Sequence, residues 1–369
     1  MSQVEDKNQR DSRFEMLRII AMLLIIGHHY CIHGLLQVTS PNAYEIWKTG
    51  TIGHKITGLI FYPGGEVGVA LFFMITGYFL INKTSIGYKR TICATLFYSW
   101  VSIIIFVVFK FIKIPLNIGS SSEIVYLWKS LLVPVSGGEI WFVTFYIALL
   151  LISPVINKVL CTFNNKQYLI FLAIFWLFWY SIASMGSTLY GLQKAVFFYA
   201  VGAYIRLFYK KKRAITYACS GGAVLTWTFG IAIAYQIICA DIYGNKIFTK
   251  LFETAFTAII VPICSVCIFL ICINASTWHN TIVNYIGRTT FGIYLMHDAV
   301  VFRNVLWQDI LKVPGMQYDS PYFAILMIGS MFCVFAVFST VDMVRILLIE
   351  DRMLQQYDTL MRRFKEIKG

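Results

Sequence analysis

Charge is what this sequence has least of. Only 13% of its 369 residues are Asp, Glu, Lys or Arg, against roughly 25% in water-soluble domains. No polar stretch is long enough to fold as a separate soluble domain, so the chain reads as one domain. Other signals are missing too. No small-residue cleavage pattern follows the first apolar run, which is therefore expected to stay in the protein as a helix. The nine cysteines have no framework spacing, so disulfides are not expected to organise the fold. Cys264 and Cys267 read as small apolar filling rather than a redox or metal pair. No internal repeat is detectable, which weighs against transporter folds built from two halves. What is abundant is apolar: 58% of residues are hydrophobic and 17% aromatic, and mean hydropathy is +0.70.

A helix crossing the hydrocarbon needs roughly 20 apolar residues, because its backbone finds no water there. Windows of that kind predict an all-α polytopic membrane protein with about ten transmembrane helices. They fall near 14–36, 65–82, 91–113, 139–161, 167–184, 192–209, 214–238, 252–273, 283–303 and 322–348. The apolar segment 124–135 is too short to cross and is expected in the interface or as a re-entrant piece. Lys and Arg collect in alternate connections, as in "YKKKR" at 209–213, which predicts both termini in the cytosol. The net charge of +13 is thus read as a topology signal and not as a nucleic-acid surface. Residues 1–13 form a cytosolic segment on this reading, and 349–369 a basic cytosolic tail. The outer connections 37–64, 114–138 and 304–321 carry turn-forming sequence without regular periodicity.

Histidine is scarce as well, with six in the chain, and three of them lie in "RIIAMLLIIGHHYCIHG" at 18–34. Ionisable groups at membrane depth usually face a cavity or one another. At about 100° per residue, Arg18 and His29 are offset by only roughly 20°. Glu15 and His33 join them by same-face spacing, while His28 points about 80° away from Arg18. The rise separates Arg18 from His29 by roughly 16 Å. Histidine suits removal of a hydroxyl proton near neutral pH, and arginine suits a phosphate. An anionic donor from inside and a hydroxyl from outside would then meet near His29, in a layout for acyl or phosphoryl transfer. The plainer reading keeps Arg18 snorkelling to inner headgroups and the histidines bonded to other helices. A His29–His33 metal pair lacks a clear further ligand, so no metal is expected.

Four stretches in order along the chain carry a resemblance: "RFEMLRIIAMLLIIGHHY" at 13–30, "GGEVGVALFFMITGYFLI" at 64–81, "GGEIWFVTFYIALLLISPVI" at 137–156 and "IGRTTFGIYLMHDAV" at 286–300. Together they resemble acyltransferase family 3, membrane-bound bacterial enzymes that O-acylate surface polysaccharides and related glycans. The resemblance implies an Arg followed, after ten residues, by a His essential to transfer, here Arg18 and His29. Glu15 stands where relatives usually carry Asp. Thr76 stands for Ser in a motif that otherwise reads Phe72, Phe73 and Gly77. His297 and Tyr294 match the late-helix motif. Relatives often carry two arginines three apart on the inner loop before the third helix; here Lys89 and Arg90 are offered without that spacing.

The resemblance implies an integral membrane O-acyltransferase of the bacterial cytoplasmic membrane. Its donor would be acetyl-CoA, a co-substrate contacted by Arg18, Lys89 and Arg90. Its partners would be membrane lipid, a glycan acceptor and other polysaccharide-assembly proteins, with no nucleic acid. His29 would act as general base or transient acyl carrier, and Glu15 would balance Arg18. Glu66, Glu139, Trp141, Tyr294 and His297 are the candidates for the acceptor side. Against each stands a bland alternative: a solvated rim for Glu66 and Glu139, an interfacial anchor for Trp141, a neighbour's hydrogen bond for His297. The rival functions are a glycan or lipid-linked oligosaccharide flippase with histidine proton relays, and a non-catalytic sensor.

Overall fold

The computed structural model describes residues 10–38, 40, 43–83, 87–114, 123–132, 141–181 and 189–368, and every regular element among them is helical. The principal helices are α1 (Ser12–His29), α2 (Gly64–Leu80), α3 (Lys89–Phe111), α4 (Trp141–Leu160), α5 (Asn165–Ile174), α6 (Tyr190–Phe208), α7 (Arg213–Ile242), α8 (Lys246–Asn274), α9 (Thr281–His297) and α10 (Phe323–Arg345). A helix α11 (Asp351–Lys368) follows. Each expected segment therefore holds a helix. By length and composition, six described helices are apolar enough to cross a membrane: α1 with its extension to Leu35, α3, α4, α7, α8 and α10 with its extension to Leu360. Helices α2 and α5 are apolar but shorter. Lys194 and Arg206 interrupt α6, and Arg288 and His297 interrupt α9, which lowers their hydropathy below that of a plain lipid-facing span. The 37–64 connection, expected without regular structure, holds two short helices, Glu45–Thr49 and Ile52–Gly58. The described part of the short segment at 124–135 is a helix, Glu123–Leu132, docked on α3: Ser99 donates to the Ser130 carbonyl at 2.6 Å; 133–135 lie outside the described residues.

Helix α1 starts where Asp11 accepts a bond from the Arg13 amide at 3.1 Å, an N-cap that satisfies one free donor of the first turn. It packs between α2, α9 and α10, with Ala21, Met22, Ile25 and Ile26 buried. Small residues set the approach of its neighbours. A Cβ on Gly77 would sit 2.0 Å from the Tyr199 carbonyl oxygen, and one on Gly202 would sit 2.0 Å from that of Met74. Such reciprocal contact is how helices associate where lipid removes the hydrophobic drive. The outer surface carries exposed apolar side chains such as Phe111, Leu225, Phe229, Ile325 and Phe332, a belt fit for lipid contact. The basic segments expected inside gather at one end: Lys89 pairs with Asp358, and His279 bonds the Arg10 carbonyl. Arg10 and Asp358 of α11 thus share that end, lining one cavity.

Candidate active site

The polar stripe expected on α1 lies along α9. The two helices run in the same direction, with Ser12 donating to Asn284 at 2.7 Å, Glu15 against Gly287 and His29 against His297. Immediately after His29 the α-helix widens into a π-helical turn, Tyr30–Leu35, a local deformation frequent at functional sites. His33 remains close, its ring 5.3 Å from that of His29.

His29 Nδ1 lies 2.9 Å from His297 Nε2, and His297 Nδ1 lies 2.7 Å from the Ile293 carbonyl oxygen. A carbonyl only accepts, so His297 Nδ1 carries the proton. With both rings neutral, His297 Nε2 then accepts from His29 Nδ1–H. This leaves the lone pair on His29 Nε2, which makes no hydrogen bond among the described residues. His297 is fully buried and His29 is 8% exposed. The chain of bonds therefore fixes both the ring and its basic nitrogen, an arrangement familiar from bases oriented by a third group. His297 is the hydrogen-bonded partner of His29. His28 is held elsewhere, with Nδ1 on the Tyr62 carbonyl at 2.7 Å and its ring against Gly65, as helical phase anticipated.

Sequence reasoning missed Asp298. Its Oδ1 lies 3.9 Å from His29 Nδ1, 3.8 Å from His33 Nε2 and 3.3 Å from Arg303 Nη1. Its adjacency to His297 in "MHDAV" was the available signal. The expectation that the histidines have no further ligand is corrected: His29, His33 and Asp298 can bring ligand atoms within 4.8 Å of one another. His29 Nδ1 is taken by its bond to His297 at 2.9 Å, and the geometry as it stands is that of a hydrogen-bonded imidazole pair.

At the basic end a cavity of about 1080 Å³ opens between α1, α2, α4, α9 and α10. Arg18, Glu15, Lys89 and Arg90 line it, so the expected donor-side residues come together. Thr76 lines it as well, donating to the Phe72 carbonyl of its own helix at 2.8 Å. Arg18 Nη1 donates to Glu15 Oε1 at 2.6 Å. Lys89 and Arg90 are engaged by the C-terminal segment, Lys89 with Asp358 and Arg90 with Glu350 at 3.4 Å. Two further arginines from late in the chain, Arg288 and Arg345, join them around Glu350 at 3.6 Å and 3.3 Å. Sequence reasoning did not select them, although Arg288 stands inside the quoted "IGRTTFG". The cavity reaches inward to Phe142 and Tyr294, and the Tyr294 ring lies 6.3 Å from that of His29. His29 itself is one aromatic layer beyond the lining.

The acceptor-side candidates divide. Glu66 and Trp141 meet at the opposite end of the bundle around Lys194, a lysine 1% exposed. Its Nζ lies 2.7 Å from Glu66 Oε2 and 4.2 Å from the Trp141 ring centroid. Glu66 is thus ion-paired, with its side chain still 24% exposed. A Lys inside an otherwise apolar stretch of α6 was the signal for it. Tyr294 instead lies beside His29, and Glu139 lies outside the described residues.

With this layout in place, comparison decides the family. Residues 11–340 match the acyltransferase domain of acyltransferase family 3. The chain belongs to that family. No curated protein and no solved structure matches it. A multi-pass membrane acyltransferase is the class that the family and the apolar helices together support.

Proposed function

We propose that this family 3 protein is an O-acyltransferase that moves an acetyl group from acetyl-CoA, bound at the basic end, to a hydroxyl of a cell-surface or exported glycan. The observation that carries this reading is the bonded pair His29–His297, which leaves His29 Nε2 as a base one aromatic layer from a large basic-mouthed cavity. The cavity suits the donor. Arg18 offers phosphate contacts beside Glu15, and Phe72, Phe142 and Tyr146 wall an interior that fits an uncharged arm. His29 Nε2 takes the proton of the acceptor hydroxyl as its oxygen attacks the thioester carbonyl. The C–S bond breaks, and the leaving thiolate takes up that proton. A transient acyl-histidine would use the same atom.

The basic end is taken as cytosolic and the membrane as a bacterial cytoplasmic membrane, since Lys and Arg favour the inner side. The acceptor would then arrive from the end where Glu66, Lys194 and Trp141 lie. A fixed, buried base favours transfer over the flippase alternative, which needs a groove with two alternating shapes.

The test is acetyl incorporation into the surface glycan of expressing cells, with membrane protein matched by immunoblot. His29→Ala is expected to lose about 100-fold or more, as removal of a general base does, while His28→Ala retains most transfer. Full acetylation by a normally expressed His29→Ala protein would overturn the mechanism.

A further inference from the structure

Beside the large cavity lies a second one of about 340 Å³, and the two share Arg10 and Arg288. Tyr285, His279 and Thr281 complete much of its wall. We propose that this small cavity is the subsite for the nucleotide end of the acyl donor, with Arg10 and Arg288 on its phosphates and the Tyr285 ring against its base. The proposal rests on the acyl-CoA reading above and adds where the far end of that donor binds.

Three observations carry it. First, guanidinium groups converge where the cavities join, and they share few carboxylates. Arg10 and Arg18 divide Glu15 at 3.4 Å and 2.6 Å. Arg90, Arg288 and Arg345 divide Glu350 at 3.3–3.6 Å. Burial pushes the Arg10 guanidinium below its usual value; Glu15 opposes that, and crowding by Arg18, Arg288 and Arg90 adds to it. A bound polyanion would relieve this repulsion. Second, the two shared arginines are reachable, with Arg10 and Arg288 side chains 49% and 30% exposed. The Arg10 backbone is fixed nonetheless: His279 Nδ1–H donates to its carbonyl at 2.9 Å and Asn284 Nδ2 does so at 3.1 Å. Third, the small cavity offers a flat partner. The Tyr285 ring lies half-buried, with the Arg288 guanidinium carbon 5.6 Å from its centroid. The volume falls in the range of ordinary small-molecule pockets.

Cationic groups in the middle, an aromatic pocket to one side and a long cavity to the other match a ligand of the same plan. Such a ligand has a flat base, then phosphates, then an uncharged arm. A simple phosphate would use only the middle, and an acyl chain only the cavity.

The experiment uses the full chain in nanodiscs of zwitterionic lipid. The probe is adenosine 3′,5′-bisphosphate, which has the nucleotide end without the arm. It is expected to bind the wild type and to compete with acetyl-CoA, and Tyr285→Ala and Arg288→Gln are expected to weaken it about tenfold, the scale of one base–aromatic stack. The ratio of KM for acetyl-CoA to KM for acetyl-pantetheine should rise by a similar factor in Tyr285→Ala. Transfer from acetyl-CoA with that ratio unchanged would overturn this subsite alone and leave the acyltransferase reading intact. Wild-type protein that uses neither donor would overturn the donor reading and this subsite with it. Absence of bisphosphate binding, with Arg288→Gln acting only in bilayers of anionic lipid, would assign the arginines to headgroups and refute the proposal.

Discussion

His297→Ala is the perturbation that most directly tests the hydrogen-bonded base. His297 touches no bulk solvent, and its two nitrogens are both used, one on the Ile293 carbonyl and one on His29. Removing the ring leaves His29 Nδ1–H without a partner. A neutral imidazole then loses most of its reason to keep the proton on Nδ1, and the other tautomer presents N–H where the base should be. A single intramolecular hydrogen bond is worth about 1–1.5 kcal/mol, and 1.36 kcal/mol is tenfold in rate. Loss of ring orientation adds to the lost tautomer preference. We therefore expect kcat to fall about 10- to 100-fold, less than for His29→Ala, while KM for the donor stays unchanged because the cavity is untouched. His297→Gln can still accept from His29 Nδ1–H through its side-chain carbonyl, so it should recover most of the loss. The assay is transfer of labelled acetyl in membrane vesicles with the amount of protein fixed by immunoblot. Full activity of His297→Ala would refute the reasoning, and so would a Gln variant no better than Ala.

Arg18→Ala should raise KM for the acyl donor at least about tenfold, since a charge-assisted contact is worth about 1.5–3 kcal/mol, with a smaller effect on kcat; an equal loss in kcat at saturating donor would argue that Arg18 serves the chemistry. Lys194→Met leaves Glu66 facing the Trp141 pocket unpaired and should destabilise by roughly 3 kcal/mol, the scale of a broken buried pair. The double variant Lys194→Met/Glu66→Gln should recover part of that loss in a thermal melt, and no recovery would mean that the pair is not coupled. Gly202→Val forces a side chain into the Met74 carbonyl and should abolish the folded protein or lower its melting temperature sharply. A normal melt would show that α2 and α6 can separate without loss.

The parts of the site written within one helix were legible in the sequence. Helical phase placed Glu15, Arg18, His29 and His33 on one face and set His28 aside, and the structure puts that face along α9. What phase cannot give is the partner. Nothing in the spacing of α1 says that His297 rather than another polar group would meet His29, or that Asp298 would sit within 4 Å of two of its histidines. The expected inner-loop cations were found at the cavity, but Asp358 and Glu350 from the C-terminal segment hold them. That pairing depends on the return of the chain to the same end, which no local window records. Lys194 was legible as an anomaly, since a cation inside an apolar stretch demands a partner, yet its partner lies 128 residues away. The apolar windows counted α6 and α9 among ten spans, yet the charges that these helices carry leave them out of the six described helices apolar and long enough to cross a membrane.

The parallel run of α1 and α9 ties these observations into one device. Because both helices leave the basic end together, one interface carries Ser12–Asn284 and Glu15–Gly287 at its start and His29–His297 at its far end. On the proposed function, a donor whose charged part sat against Arg18 would register on the same helix pair that holds His29. The depth of His29 relative to the donor is set by eleven residues of α1, roughly 16 Å, rather than by a mobile loop. Rigid placement of this kind lets binding energy at the charged end be used to hold the reacting carbonyl in place. The π-turn at Tyr30–Leu35 follows His29 and so leaves this alignment intact; one between Arg18 and His29 would rotate one residue out of line with the other.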